Sequence, residues 1–199
     1  MFSENFHPHP SHSGWIEVIT GSMFSGKTEE LIRRLRRAAL AKQKVLIFKP
    51  LIDTRYASDF VVSHDESRLQ CIQVAAPSAI LSEAADAQVV GIDEAQFFGP
   101  EVVDVCRRLA DRGVRVVVAG LDMDFKGEPF GPMPALMAVA EDVSKVHAIC
   151  QECGGLALFS HRISPDDSLI LLGEKDRYEP LCRSCFSRKV RLAKVNNPD

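Results

Sequence analysis

The chain lacks any long apolar run. None of its 199 residues lies in a stretch approaching the roughly 18 needed to cross a bilayer. It also lacks an apolar N-terminal stretch of the kind that marks a secretory signal, so a soluble, cytoplasmic protein is expected. Excess charge of one sign is missing too. Lys and Arg number 24 against 27 Asp and Glu, a net charge of −3 with a pI of about 6.1. That balance gives no general attraction to nucleic acid. There is no internal repeat, which excludes a solenoid. The only biased segment is residues 1–13, polar and rich in His and Pro. It reads as a disordered tail, and His7, His9 and His12 within it do not amount to a metal site.

What remains is an ordinary globular composition, 46% hydrophobic and 26% charged, in a length that suits one domain with an appendage. Against that background Gly21-Ser22-Met23-Phe24-Ser25-Gly26-Lys27-Thr28 stands out. It fits G-x-x-x-x-G-K-[ST], the phosphate-binding loop of nucleoside-triphosphate proteins. The glycines let the backbone curl until successive N–H groups face phosphate oxygens. Lys27 supplies charge to the outer phosphates, and the Thr28 hydroxyl suits Mg²⁺. The context supports the motif. Residues 15–20 read as a strand entering the loop. Residues 29–41 read as a helix leaving it, with Leu31, Ile32, Leu35, Ala38 and Ala39 on one face. Arg33, Arg34, Arg36 and Arg37 form the one dense basic cluster, expected on the solvated side of that helix.

Strand-like and helix-like segments then alternate. Residues 45–48 make a short apolar strand closed by Lys49-Pro50. Residues 51–73 are polar and aperiodic, read as a long loop with one irregular strand. Residues 78–87 are helix-like with Ser78 at the cap. Residues 89–92 form a strand ending in the acidic pair of Asp93-Glu94-Ala95-Gln96. Residues 101–112 form a helix stopped by Gly113 and holding Cys106 in the core. Residues 114–120 form a strand, 121–134 a loop, 135–141 a short helix, and 143–148 a last strand. Alternation of this kind implies a parallel sheet covered by helices on both faces. Ligands of such sheets sit beyond the carboxyl ends of the strands. The glycine loop, Asp93-Glu94 and Leu121-Asp122 should therefore meet on one edge, with Asp122 left out of the site as a helix or turn cap.

At Ala148 the character changes. Cys150-x-x-Cys153 and Cys182-x-x-Cys185 bracket 28 residues. Two such pairs match a zinc ribbon, in which four thiolates complete a tetrahedral shell and leave no open position for catalysis. Gly154 suits the tight turn after the second cysteine. Cys71 carries no signal. The expected organisation is a tail at 1–13, a nucleotide-binding domain at 14–147, a zinc-binding domain at 148–190, and a tail at 191–199.

A triphosphate cradle beside two carboxylates points to phosphoryl transfer. Asp93 would handle Mg²⁺ and Glu94 would take a proton from an attacking hydroxyl. Here the residues resemble the cytosolic-type (type II) thymidine kinase family. The resemblance lies in the glycine loop, Asp93-Glu94-Ala95-Gln96-Phe97-Phe98, Asp53-Thr54-Arg55-Tyr56, Leu121-Asp122-Met123-Asp124-Phe125, and Gly173-Glu174-Lys175-Asp176-Arg177-Tyr178. It implies an α/β, RecA-like parallel sheet with helices on both faces and a small zinc-ribbon-like domain carrying a lasso loop. It also implies transfer of the ATP γ-phosphate to the 5′-hydroxyl of thymidine, and of deoxyuridine, with Mg²⁺ accompanying ATP and a structural Zn²⁺. By position, Glu94 matches the general base, Lys27 the phosphate lysine, and Arg55 an arginine near the transferred phosphate. Asp53 matches a sugar contact, Phe125 a ring that stacks on thymine, and Met23 and Leu121 walls of the base pocket. Gly173 and Tyr178 fall in the lasso, which closes over the nucleoside. ATP contacts are implied for residues 21–28 and for Asp93, Glu94, Ala95 and Gln96. The resemblance further implies a homotetramer inhibited by thymidine triphosphate. His64 and His161 read as structural.

The rival from another class is a nucleic-acid-dependent ATPase with a P-loop domain and a zinc ribbon. The acidic pI and the acids of the intervening segment (Asp166, Asp167, Glu174, Asp176) argue against it. A regulatory nucleotide switch has no use for Arg55 and Glu94.

Overall fold

The computed structural model describes residues 14–52, 60–62, 68–163 and 177–196. Its elements in chain order are β1 (Trp15–Thr20), α1 (Lys27–Leu40), β2 (Val45–Pro50), β3 (Phe60–Val62), β4 (Arg68–Gln70), β5 (Ile72–Val74), α2 (Ser78–Glu83), β6 (Val89–Ile92), α3 (Val102–Asp111), β7 (Arg115–Gly120), α4 (Met133–Val139), β8 (Asp142–Lys145), β9 (Ala148–Ile149), β10 (Leu156–Ala157), β11 (Phe159–Arg162), β12 (Tyr178–Leu181) and α5 (Arg183–Asn196).

Six strands form one parallel sheet in the order β5-β2-β6-β7-β1-β8. Strands buried on both faces need apolar side chains on both, hence the Val and Ile runs of β1, β6 and β7. On one face Ile16, Val18, Phe48, Val90, Ile92, Val116 and Val118 pack with α2, α3 and α4. On the other, Ile19, Ile47, Val89, Val117 and Ala119 meet Leu31, Ile32, Leu35 and Ala38 of α1. Cys106 is fully buried in the first cluster, and Cys71 joins the second.

The differences from the sequence reading have local causes. α1 begins at Lys27 rather than 29, because Gly26, in the left-handed region at φ +83°, is itself the cap. β2 continues through Pro50, since β5 pairs with it at Phe48–Ile72, Lys49–Gln73 and Pro50–Val74. The expected loop at 51–73 therefore holds the β3–β4 pair and the start of the sheet's edge strand. Three-residue strands are too short to show a period, and pairing decides them. Ser78 is the first residue of α2 and Pro77 its cap, with no side-chain capping bond. α4 starts at Met133, because Pro134 is accepted in a first turn. Gly113, at φ +87°, stops α3 as expected.

Arg34 overturns the solvated-face reading of its cluster. It is 3% exposed and turned toward β1. Its Nη1 donates to Glu17 Oε2 at 2.7 Å, its Nε to Glu30 Oε1 at 2.8 Å, and its Nη2 to Ser144 Oγ at 2.7 Å. Arg115 donates to the same Glu17 from β7 at 2.6 and 3.1 Å, and the Trp15 indole N–H adds a bond of 2.6 Å. Burial alone would raise the Glu17 carboxyl, but Arg115, Trp15 and Arg34 outweigh it and hold it below its ordinary value of 4.5.

The antiparallel pairs β9–β10 and β11–β12 build a small unit around Ala148, Cys150, Ala157, Phe159, Leu181, Cys185 and Phe186. Phe159 stacks on Phe186 at 4.4 Å. Phe24 of the glycine loop and Met123 of the β7–α4 loop pack on this cluster. α5 runs to Asn196, past the tail boundary expected at 190.

Candidate functional site

The three carboxyl ends that matter adjoin one another, because β7 lies between β6 and β1. Gly21 sits at φ +144° where an added Cβ would stand 2.1 Å from Val146 O, so the β1 exit admits only glycine. Phe24 adopts φ +63° within the turn. Ser22 O accepts both Ser25 Oγ and Lys27 Nζ at 2.7 Å, closing the loop on itself. Met23 N donates to Ser160 Oγ of β11 at 2.9 Å, tying the loop to the small unit. Thr28 follows in the first turn of α1, where N–H groups and the helix dipole favour an anion.

At the end of β6, Asp93 is 7% exposed, and its Oδ1 accepts Glu94 N at 3.0 Å. Glu94 holds a left-handed backbone, φ +52°, ψ +38°, at the start of a single 3-10 turn over Ala95–Phe97. Non-glycine residues rarely stay there unless their surroundings enforce it. The Asp93 carboxylate and the Phe97 amide bond to that backbone, and the side chain meets Gln96, itself 2% exposed. Its Nε2 donates to Glu94 Oε2 at 2.5 Å, and its Oε1 accepts Leu121 N at 3.0 Å. The side-chain amide of Gln96, expected at ATP, thus spans from the carboxylate to the first residue after β7.

Asp122 is not the turn cap of its loop. Asp124 does that work, its Oδ1 accepting Lys126 N at 2.8 Å and Glu128 N at 3.0 Å. Asp122 is 7% exposed, and its Oδ2 lies 2.6 Å from Lys145 Nζ. Asp122 Oδ1 and Ser22 Oγ are buried with no hydrogen-bond partner among the described residues. From the β1–β7 register, in which Thr20 opposes Gly120, these two residues follow at matching positions.

Half-buried Phe125 lies under the Arg162 guanidinium, 3.7 Å from the ring centroid. Arg162 ends β11 directly opposite Tyr178 on β12, and donates to the Tyr178 hydroxyl at 3.1 Å from Nε and 2.6 Å from Nη2. His161, on the other face of the strand, meets Glu179 at 2.9 Å, the structural role expected of it. Asp53, Arg55, His64, Gly173 and the lasso span 164–176 lie outside the described residues.

Cys150, Cys153, Cys182 and Cys185 converge, with all four Sγ atoms within 4.8 Å of one another and Cys153 3.7 Å from Cys182. Zn–S bonds of about 2.3 Å in a tetrahedron give S···S edges of about 3.8 Å, so the set fits zinc. Burial works to raise the Cys150 thiol, but backbone N–H groups of Cys182, Cys153 and Glu152 bring it down to about 6. The hydrogen bond with Cys182, then burial and the other thiols, push Cys185 up to about 12. Four sulfurs this close ionise together only around a cation.

The profile of the thymidine kinase family matches residues 14–186. The chain belongs to the thymidine kinase family. It is 58% identical over 191 residues to the thymidine kinase of Bacteroides fragilis strain YCH46, covering 96% of each chain. It is 58% identical over 188 residues to that of Bacteroides thetaiotaomicron, covering 94% of each. It is 57% identical over 178 residues to that of Rhodothermus sp. strain ITI 518, covering 89% of this chain and 84% of the relative.

For this thymidine kinase family member, sequence reasoning brought together the glycine loop, Asp93, Glu94 and Leu121. It missed the buried positions of Asp122 and Arg162 and the Ser160 contact to Met23. A signal for the last two was present: Phe159-Ser160-His161-Arg162 alternates, so Ser160 and Arg162 share a face, and an arginine on a packed face demands partners. No helix among the described residues is long and apolar enough to cross a membrane.

Proposed function

We propose that the chain transfers the γ-phosphate of ATP to the 5′-hydroxyl of thymidine, and of deoxyuridine, in the cytoplasm. Glu94 takes the proton of the attacking hydroxyl. Residues 21–28 wrap the phosphates, Lys27 leaving Ser22 O for the outer phosphates, and the Asp93-Glu94-Ala95-Gln96 turn borders them. The hard oxygen donors of Thr28 and Asp93 suit Mg²⁺, which, when bound with ATP, neutralises charge developing on the transferred group. Arg55 steadies that group, and Asp53 holds the sugar. Phe125 stacks on the thymine ring, with Met23, Leu121, Gly173 and Tyr178 around it. Cys150, Cys153, Cys182 and Cys185 hold a structural zinc. Thymidine triphosphate as inhibitor and a homotetrameric assembly belong to the same reading.

The observation that carries it is the Glu94 carboxylate, fixed by Gln96 to the start of the β7 loop, on the same sheet edge as the phosphate cradle. A base on the sheet edge where an aromatic-bearing loop lies between it and a phosphate loop suits a hydroxyl on the sugar of a flat nucleobase. The test is transfer of label from γ-labelled ATP to thymidine, with single-stranded DNA in place of thymidine as the second arm. Thymidine-dependent transfer is the expected result. DNA-stimulated hydrolysis without transfer would overturn the reading in favour of a nucleic-acid-dependent ATPase.

A further inference from the structure

Arg162 carries a full positive charge, is only 7% exposed, and belongs to neither the glycine loop nor the acidic turn. We propose that Arg162 is a positioning residue for the pyrimidine platform: it backs one face of Phe125 and clamps the Tyr178 hydroxyl, so that both aromatic side chains are set before a nucleoside arrives. This rests on the reading of Phe125 and Tyr178 as nucleoside contacts.

Three observations carry it. The first is the stack. A guanidinium carbon 3.7 Å from a ring centroid is in van der Waals contact with that face. A flat pyrimidine then has the opposite face to stack on. The exposed Lys126 ammonium also lies 5.4 Å from the ring centre, but a hydrated lysine on a flexible stem yields its place to a ring far more readily than a buried, doubly bonded arginine does. The second observation is the fork. Nε and Nη2 both donate to the Tyr178 oxygen. With two donors on its lone pairs, the phenol is held in place and directs its own proton away from the guanidinium.

The third is the strand that carries the arginine. Arg162 opposes Tyr178 in the β11–β12 register, so the backbone pairing sets the clamp. Two residues earlier on the same face, Ser160 accepts the Met23 amide at 2.9 Å. One short strand face therefore touches Met23, Phe125 and Tyr178, which come from the glycine loop, the β7–α4 loop and the partner strand. On the opposite face of the strand, Gly127 of the β7–α4 loop, at φ +82°, packs against the Phe159 ring. The same strand descends into the cluster that contains Cys150 and Cys185. The cysteine unit thus holds the arginine, and the arginine holds the platform.

A residue that prepares a binding surface lowers the ordering cost of binding and leaves the chemical step to Glu94. The measurement uses the full chain, zinc-loaded, with thymidine and ATP varied separately. Arg162→Met is expected to raise the thymidine KM about 10- to 100-fold, the loss of a desolvated cation–π stack and a charged hydrogen bond together. The ATP KM should stay within about twofold, because Arg162 has no part in the phosphate cradle. Arg162→Lys keeps the charge but not the planar fork, and should restore only part of the loss. An unchanged thymidine KM in a variant with wild-type zinc content and melting temperature would overturn the proposal. A lower KM would overturn it as well, by showing that the guanidinium sits in the pyrimidine's own seat. If Arg162→Met fails to fold, Tyr178→Phe removes only the acceptor oxygen, and must show the same split between the two substrates for the clamp to stand. Calorimetric titration of thymidine separates this inference from the function on which it rests. Wild-type protein that binds thymidine but does not phosphorylate it defeats the function, while the Arg162→Met dissociation constant still decides the clamp. Wild-type protein that does not bind thymidine defeats both.

Discussion

Replacing Gln96 by Leu tests whether its amide serves the base or the nucleotide. The substitution keeps most of the side-chain volume and removes two hydrogen bonds. The one to Glu94 Oε2, at 2.5 Å, involves a carboxylate, and such bonds contribute about 1.5–3 kcal/mol. The one from Leu121 N, at 3.0 Å, leaves an amide without its partner, which costs about 1–3 kcal/mol when water cannot replace it. Glu94 is half-buried and recovers some hydration, so a net loss of about 2–4 kcal/mol of stability is expected. For a chain of this length each kcal/mol lowers Tm by about 2–4 °C. The catalytic effect is separate. Without the Gln96 amide the Glu94 carboxylate loses one of its restraints, and displacement of a reacting group by about 1 Å can cost about 10²-fold. Gln96→Leu should lower kcat about 10- to 100-fold with the ATP KM nearly unchanged. Gln96→Glu adds a second carboxylate at the same contact. The pair then shares a proton, and the acid limb of the kcat/KM profile moves to higher pH. The assays are steady-state kinetics against ATP and thymidine, and thermal unfolding. A Gln96→Leu protein with wild-type kcat and a raised ATP KM would refute the argument and make Gln96 a nucleotide contact.

Three other outcomes are expected. Glu94→Gln, which keeps the shape of the turn, should lose about 10²–10⁴-fold in turnover while still binding ATP in equilibrium titration, and near-normal turnover would sink the assignment of the base. Elemental analysis of protein purified without chelator should find one zinc per chain; chelation or Cys150→Ser should unfold the β9–β12 unit, whereas a metal-free protein that stayed folded and active would contradict the structural zinc. Glu17 is held below 4.5 in the folded chain, so its contribution to stability is present above its unfolded value and lost as pH falls through the folded one; Glu17→Gln should cost about 3–5 kcal/mol at pH 7 by leaving Arg34 and Arg115 under-paired, and should flatten the acid limb of denaturant-measured stability.

The parts legible in the sequence were those with local rules. The glycine loop is specified residue by residue, because a positive φ and a close backbone approach at Gly21 admit one residue type. The Val-rich runs of β6 and β7 announce burial on both faces, and Gly113 announces a helix end. The parts that escaped depend on partners distant in sequence. Arg34 looks like its neighbours Arg33, Arg36 and Arg37 until Glu17 and Ser144 are brought to it across the β1–β8 edge. β5 exists because β2 offers three residues to pair with, and nothing within Ile72–Val74 says so. Asp122 and Asp124 are equally good turn residues by type. Both are buried; which one caps the loop follows from the tertiary partner each meets, Lys145 for Asp122 and the Lys126 and Glu128 amides for Asp124.

The two ends of β1 carry opposite arrangements of polar groups, and the contrast separates stability from chemistry. Near its beginning, Glu17 meets Arg34, Arg115 and Trp15, a buried cluster whose members are mutually satisfied. Such a set fixes strand order and helix register, because removing any member strands the others. Beyond its end, Ser22 Oγ and Asp122 Oδ1 are buried and unpaired among the described residues, and Phe24 and Glu94 hold left-handed backbones. Unpaired buried polar atoms and positive φ values each cost free energy, and they gather at the edge where β1, β6 and β7 open. A fold that satisfies its buried charges at one end can carry this cost at the other. The carboxylate, the hydroxyl and the curled backbone there stand ready for polar groups that the described residues do not supply.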